Sequence, residues 1–143
     1  MKISAKIDYA CRALLELSLH WPNETPLPIT EIAHRRRIPI KFLTHILLVL
    51  KQQGFVESVR GKTGGYTLIK SPKEITLGDL VQNFPELRFS SGEKKARKNT
   101  QDNVFESIWQ ELDNEIAGFT NRISFEDISN RERALYNVPS YTI

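Results

Sequence analysis

The sequence predicts a mainly α fold with one small β-hairpin: a winged helix-turn-helix domain followed by a long C-terminal dimerisation helix. Three observations predict it. Two short amphipathic segments meet at a tight turn around Pro39, a pair of β-branched runs flanks a glycine-rich tip directly after them, and an apolar seam of about five turns begins near residue 102.

Each element has a local cause. Ser4 caps a first helix in which Ile7, Ala10, Cys11, Leu14, Leu17 and Trp21 recur at three- and four-residue steps, and Pro22, Pro26 and Pro28 end it. Thr30 opens a short helix, TEIAHRRR, which has to stop before Pro39 because a residue preceding proline is pushed out of the helical region. The chain turns helical again in IKFLTHILLVLKQQ, where Leu43, Ile46, Leu47 and Leu50 form one apolar stripe and Lys41, Thr44, His45 and Lys51 lie elsewhere. Gly54 terminates that helix. The runs FVESVR and YTLIK, on either side of Gly61, Lys62, Thr63, Gly64 and Gly65, read as a hairpin. Thr76 with Asp79 resembles a capping box opening TLGDLVQNF, which Pro85 ends.

Residues 86–101 show no apolar period and read as an exposed connection. From Asp102, Val104, Ile108, Leu112, Ile116, Phe119 and Ile123 form a seam that Phe105 and Trp109 widen. The remainder, from Ser124, is expected to add a turn or a strand. The expected organisation is therefore 1–83 for the winged domain, 84–101 for the connection and 102–143 for the dimerisation helix and tail.

Composition narrows the function classes. The 143 residues can bury one sizeable core but not two ordinary domains and a linker. No apolar run is long enough to cross a bilayer, and the first twenty residues do not read as a signal peptide, so a cytoplasmic protein without membrane contact is expected. The single cysteine, Cys11, excludes an internal disulfide and any site built from several thiolates. Charge is polarised. Residues 1–73 hold twelve Lys and Arg against five Asp and Glu (+7), while residues 74–143 hold eight against twelve (−4). The basic half is the candidate for contact with a polyanion.

The order of helix, turn, helix and glycine-tipped hairpin is that of a winged helix-turn-helix, whose second helix enters the major groove of duplex DNA. Lys41, Thr44 and His45 have the size and polarity to reach base edges, and Arg60 sits where a wing places a guanidinium in the minor groove. Gly61, Gly64 and Gly65 would let the wing backbone approach phosphates without a Cβ clash. The same elements also describe an α+β core with a surface hairpin. Arg35, Arg36 and Arg37 read either as a solvated helix end that suits the helix dipole or as phosphate ligands.

GKT at Gly61 to Thr63 matches the end of a phosphate-binding loop, but the glycine required five residues earlier is Val56 and no helix follows. There is no nucleophile elbow, no HExxH and no local acid–base pair, and His20, His34 and His45 lack metal-ligand spacing. No enzyme activity, metal or cofactor is therefore expected. The long seam could pack on its own domain or on a second chain; pairing is preferred because one small winged domain supplies few phosphate contacts. A different class fits the same elements, a protein-interaction module that binds a partner enzyme through the winged domain and long helix.

The stretches KIDYACRALLELSLH, ITEIAHRRRIPIKFLTHILLVLKQQGFVESVRGKTGGYTL and ITLGDLV, with the long helix SIWQELDNEIAGFTNRISFEDI, resemble the Rrf2 family of bacterial winged-helix regulators. The SVRG..GGY wing, followed by ITL.D, is the most specific part. The resemblance implies a homodimeric DNA-binding repressor or activator whose two recognition helices read a pseudo-palindrome. It implies that Lys41, Thr44 and His45 face bases, that Phe42 lies near the backbone, and that Arg60 and Gly61 reach the minor groove. Ser4 and Lys6 would touch phosphate, and Lys62, Gly64 and Gly65 complete the DNA-binding wing. Val104, Ile108, Leu112, Ile116 and Phe119 would form the dimer interface.

The chain also departs from the family pattern. Thr44 replaces a carboxylate found in some members, so the operator read here is expected to differ. Pro39 replaces a frequent serine, consistent with proline at the first position of a helix. Cluster-binding members carry three cysteines where this chain has SSGEKKARKN, and Asp8, which matches a further ligand in some of them, is expected to be a solvent or interface charge. Cys11 is expected to act as a small hydrophobe. A protein or small-molecule effector remains an open partner.

Overall fold

In the computed structural model, which describes residues 2–23, 25–84 and 103–136, Ser4 caps helix α1 (Ala5–Leu19) by accepting a hydrogen bond from the Ile7 N–H at 3.3 Å. Ile7, Ala10, Ala13, Leu14 and Leu17 are buried along one face, where the two alanines leave room for a neighbouring helix. The helix closes at Leu19, sooner than the apolar spacing suggested, and Trp21 lies beyond it, 37% exposed.

Helix α2 (Ile29–Arg36) begins one residue before Thr30, with Pro28 as its N-cap, a place where the missing proline N–H costs no helical bond. Arg37 closes it in the left-handed conformation. Helix α3 (Ile40–Gln52) then starts with Pro39 as N-cap rather than as its first residue. Leu43, Ile46, Leu47 and Leu50 are buried, as their spacing requires, and α3 packs against α1 and α2.

Strands β1 (Val56–Val59) and β2 (Gly65–Leu68) pair antiparallel with Val56 opposite Leu68 and Val59 opposite Gly65. Tyr66 also exchanges two backbone hydrogen bonds of 2.9 Å with Leu27, so the hairpin is stitched to the segment that leads into α2. A single 3-10 turn (Pro72–Glu74) leads to helix α4 (Leu77–Val81). Thr76 and Asp79 form a full capping box, each accepting a backbone bond of 3.0 Å from the other's residue. The helix ends at Val81, well ahead of Pro85.

Helix α5 (Asn103–Arg122) does not include Ile123. Ile123 leaves the seam because its carbonyl accepts the Leu77 N–H at 2.8 Å, while the Phe125 N–H donates to the Ile75 carbonyl at 2.8 Å. The residues expected to form a turn or strand are instead helix α6 (Phe125–Tyr136). Ser124 and Asp127 cap it by the same reciprocal pair of 3.0 Å bonds seen at α4. Phe125 is fully buried, and α6 packs on α1 and on the 3-10 turn. The expected connection lies outside the described residues except for Phe84, which is buried.

Phe125 thus fastens the C-terminal helix into the same core as α1 and α3. Phe125→Ala is expected to cost about 3–5 kcal/mol in urea unfolding, with the midpoint falling and the slope retained. A change near zero would place α6 outside that core.

Candidate nucleic-acid interface

Burial of the stripe at positions 43, 46, 47 and 50 turns Lys41, Thr44, His45 and Leu48 to the opposite side of α3. Lys41, Thr44 and His45 are exposed, and Leu48 is 50% exposed. The Thr44 hydroxyl donates to the Ile40 carbonyl of its own helix at 2.9 Å. Phe42 is 57% exposed on the flank of α3, its ring 6.1 Å from that of Tyr9 and tilted by 40°. The Arg12 guanidinium stands over the Tyr9 ring, 5.7 Å from its centroid, and is itself held by Asp8 at 2.6 Å and by the Arg36 carbonyl at 3.3 Å. Asp8 is therefore engaged within its own helix.

At the start of α1, the Ser4 oxygen already accepts its capping bond, which leaves its O–H as the group available to an anion. Lys6 is exposed, with its ammonium 5.6 Å from the Phe84 ring. Tyr9, Arg12 and Leu48 escaped the sequence reading; the three- and four-residue steps from Lys6 to Tyr9 and from Thr44 to Leu48 were the available signal.

Arg60, Gly61 and Lys62 lie exposed at the tip of the β1–β2 hairpin. Gly61 has a φ of +121° with open space where a side chain would be, so its backbone is accessible. For Gly64 and Gly65 the structure gives a reason other than approach to phosphate. A Cβ on Gly64 would meet the Val59 carbonyl within the turn, and one on Gly65 would run into the Leu27 carbonyl. These two glycines let the wing close on itself and lie against the α2 approach. Lys51 adds a third tie, its Nζ donating to Ser58 Oγ at 2.9 Å, so the hairpin is fixed relative to α3.

Of the three arginines in sequence, two are committed to carboxylates. Glu16 is 4% exposed, a place where burial calls for paired cations. Arg35 and Arg36 approach it at 3.2 and 2.8 Å, and Arg35 also pairs with Glu31. Arg36 reaches on to Glu132 of α6 in a bidentate pair of 2.6 and 2.7 Å. This disfavours the phosphate-ligand alternative for Arg35 and Arg36; Arg37 stays exposed. The Arg36 hydrogen bond holds the Glu132 carboxyl below the usual carboxylate range. His20 sits 2.8 Å from Arg35 as part of the same cluster.

Helix α5 lies against α4, with Asn121 up against Gly78 and Thr120 buried. Its apolar seam looks elsewhere. Val104, Phe105, Ile108, Trp109, Leu112 and Phe119 are exposed, with Phe105 and Trp109 stacked at 6.2 Å. Ile116 and Phe119 border an open apolar cavity of about 410 Å³ against Ile7, Cys11, Leu77 and Val81. Burial, with a smaller contribution from Asp8, pushes the Cys11 thiol up to about 11.

A helix-turn-helix with an exposed outer face, and a hairpin tied rigidly beside it, is the apparatus of a winged-helix, DNA-binding transcriptional regulator. The family model for Rrf2, described as an iron-dependent transcriptional regulator, matches residues 3–131. The transcriptional regulator IscR of Photorhabdus laumondii is 30% identical over 138 residues, covering 94% of this chain and 83% of the relative. An rrf2-like HTH-type transcriptional regulator of Rhodobacter capsulatus is 45% identical over 84 residues, 57% of this chain and 56% of the relative, so the chain spans little more than half of that protein. The solved structure of T. potens IscR superposes with a TM-score of 0.75 at 26% identity, covering 100% of this chain and 92% of the other. CymR of B. subtilis shares the fold, with a TM-score of 0.70 at 23% identity over 92% of this chain and 98% of the other. The chain belongs to the Rrf2 family of transcriptional regulators.

The donors of this chain do not fit a thiolate-held iron centre. Its one cysteine is the weakly acidic Cys11 in an apolar wall, and no three His, Cys, Asp or Glu side chains converge among the described residues.

Two outcomes follow. At pH 8 Cys11 should alkylate about a hundredfold more slowly than an unperturbed thiol, because that is the deficit in thiolate when its pKa stands near 11 rather than 9.0; ordinary reactivity in the folded protein would contradict the burial. Glu132, with its folded pKa depressed, contributes stability above its unfolded pKa and loses it as the pH falls through the folded value. The stability deficit of Glu132→Gln should accordingly be widest above pH 5 and narrow in acid, as read by unfolding curves across pH.

Proposed function

We propose that the chain works in the cytoplasm as a homodimeric, sequence-specific repressor, with two α3 helices in successive major grooves and the wings in the flanking minor grooves. Lys41, Thr44 and His45 meet base edges, Phe42 lies along the sugar-phosphate backbone, and Ser4 and Lys6 contact phosphate. Arg60, Gly61 and Lys62 enter the minor groove, where a guanidinium and an open glycine backbone suit the narrow, negative channel. Gly64 and Gly65 belong to the wing by holding its turn. No residue is given a catalytic role and no cluster is included; the signal reaches the protein through a small molecule or a protein partner. Among the described residues no helix is long and apolar enough to cross a membrane.

The observation that carries the dimer is the α5 seam. Its own domain buries Thr120 and half-covers Ile116, and leaves the row from Val104 to Leu112 exposed. Burying what remains exposed of these side chains gains about 25 cal/mol per Å² of apolar surface, and an identical face on a second copy buries them in an isologous pair. Pairing also places two basic faces on one duplex, multiplying the phosphate contacts.

A gel shift with the duplex upstream of its own gene tests this reading. Log K should fall linearly with log salt, and Lys41→Ala and Arg60→Ala should each weaken binding by about 1–3 kcal/mol. Binding that ignores salt, or none at low salt, would favour the protein-interaction alternative. Separately, Ile108→Asp with Leu112→Asp should convert a sedimenting dimer to a helical monomer; a wild-type monomer would show that the seam serves another partner.

A further inference from the structure

The α3 face that meets the duplex in this reading, from Lys41 to Leu48, carries a cation, a threonine, an imidazole and a leucine. It has no carboxylate to accept from cytosine and no carboxamide to bracket adenine. Lys41 and His45 are donors suited to the guanine acceptors. What remains is apolar. The Thr44 hydroxyl has its proton committed to the Ile40 carbonyl at 2.9 Å, so the side chain keeps its methyl group and oxygen lone pairs for anything outside the helix. Leu48, i+4 from Thr44, is its neighbour on the same strip and stays half exposed. The major groove offers one apolar feature among its four base-pair patterns, the C5 methyl of thymine.

We infer that Thr44 reads a thymine in each half-site through a methyl-to-methyl contact, with Leu48 extending the apolar strip beside it. This rests on the DNA-binding reading and adds to it the base that the position selects. A contact in which the hydroxyl donates would require the Ile40 bond to be given up, and one in which it accepts would survive in Thr44→Ser; a methyl contact uses the side chain as it stands and is lost in Thr44→Ser.

The test removes one methyl from each side. Full-length protein selects its sites from a random duplex pool, and each thymine of the enriched sequence is then replaced in turn by deoxyuridine, which lacks only that methyl. Wild type should bind about fourfold more weakly at one thymine per half-site, and roughly sixteenfold when both half-sites are changed. Thr44→Ser, which keeps the hydroxyl, should bind thymine and uracil duplexes equally at that position. Thr44→Val, which keeps the methyl, should retain the discrimination. Thr44 is exposed, so neither change disturbs the core. An enriched sequence that tolerates uracil at every thymine overturns this inference alone, as does sensitivity that persists in Thr44→Ser or disappears in Thr44→Val. A pool that yields no enriched sequence overturns the regulator reading and this inference with it.

Discussion

The packing of the α3 leucine stripe on the shallow face of α1 is the constraint from which the rest follows. Leu43, Leu47 and Leu50 are essentially inaccessible, and across from them Ala10 and Ala13 keep α1 close while Leu14 and Leu17 fill the space between. Truncating any one of those leucines would cost about 2–5 kcal/mol, so the rotation of α3 about its axis is held firmly. A slip of one residue would turn the helix by about 100° and put Thr44 and Lys51, or Phe42 and His45, toward the core. The outward direction of Lys41, Thr44, His45 and Leu48 is thus a consequence of what is buried on the other side.

Electrostatics refine that picture. The positive excess of residues 1–73 does not mark the interface by itself, because Arg12, Arg35 and Arg36 are paired with Asp8, Glu31, Glu16 and Glu132. A nearly buried carboxylate, Glu16, has to be matched by cations, and the chain matches it with arginines whose planar forks hold two carboxylates at once. The outcome is a brace joining α1, α2 and α6. It fixes the end of α2 and hence the turn into α3, and it leaves the charges of α3 and the wing tip to face outward.

Much of this was legible in the residues. Ser4, the Thr76–Asp79 box and the 43/46/47/50 spacing each act within a few residues of chain, and local rules read them correctly. Helix α6 was not legible although Ser124 and Asp127 repeat the same box. Only Phe125 and Ile128 supply apolar bulk on its inner face, beside the small Ser129, and its remaining tie is an ion pair to Arg36 across most of the chain. Too few apolar residues recur for periodicity to register. Ile123 was misplaced for a related reason: its spacing suits α5, but its carbonyl is taken by Leu77. The role of Gly65 depends on Leu27, and the commitment of Arg36 depends on Glu16 and Glu132; such partners are adjacent only in space. The exposed side of α5, by contrast, is legible from the seam spacing alone, since among its described side chains Thr120 is the one that is buried.

Duplex DNA should cover the outer face of α3 and the wing and leave α6 clear. Hydroxyl-radical footprinting of side chains, with and without a selected duplex, measures this directly, because Phe42 and Leu48 on α3 and Leu135 and Tyr136 on α6 are all exposed in the free chain. Protection of Phe42, His45 and Leu48 with unchanged Leu135 and Tyr136 is the predicted result. Protection of Leu135 and Tyr136 with Phe42 and Leu48 still reactive would contradict it.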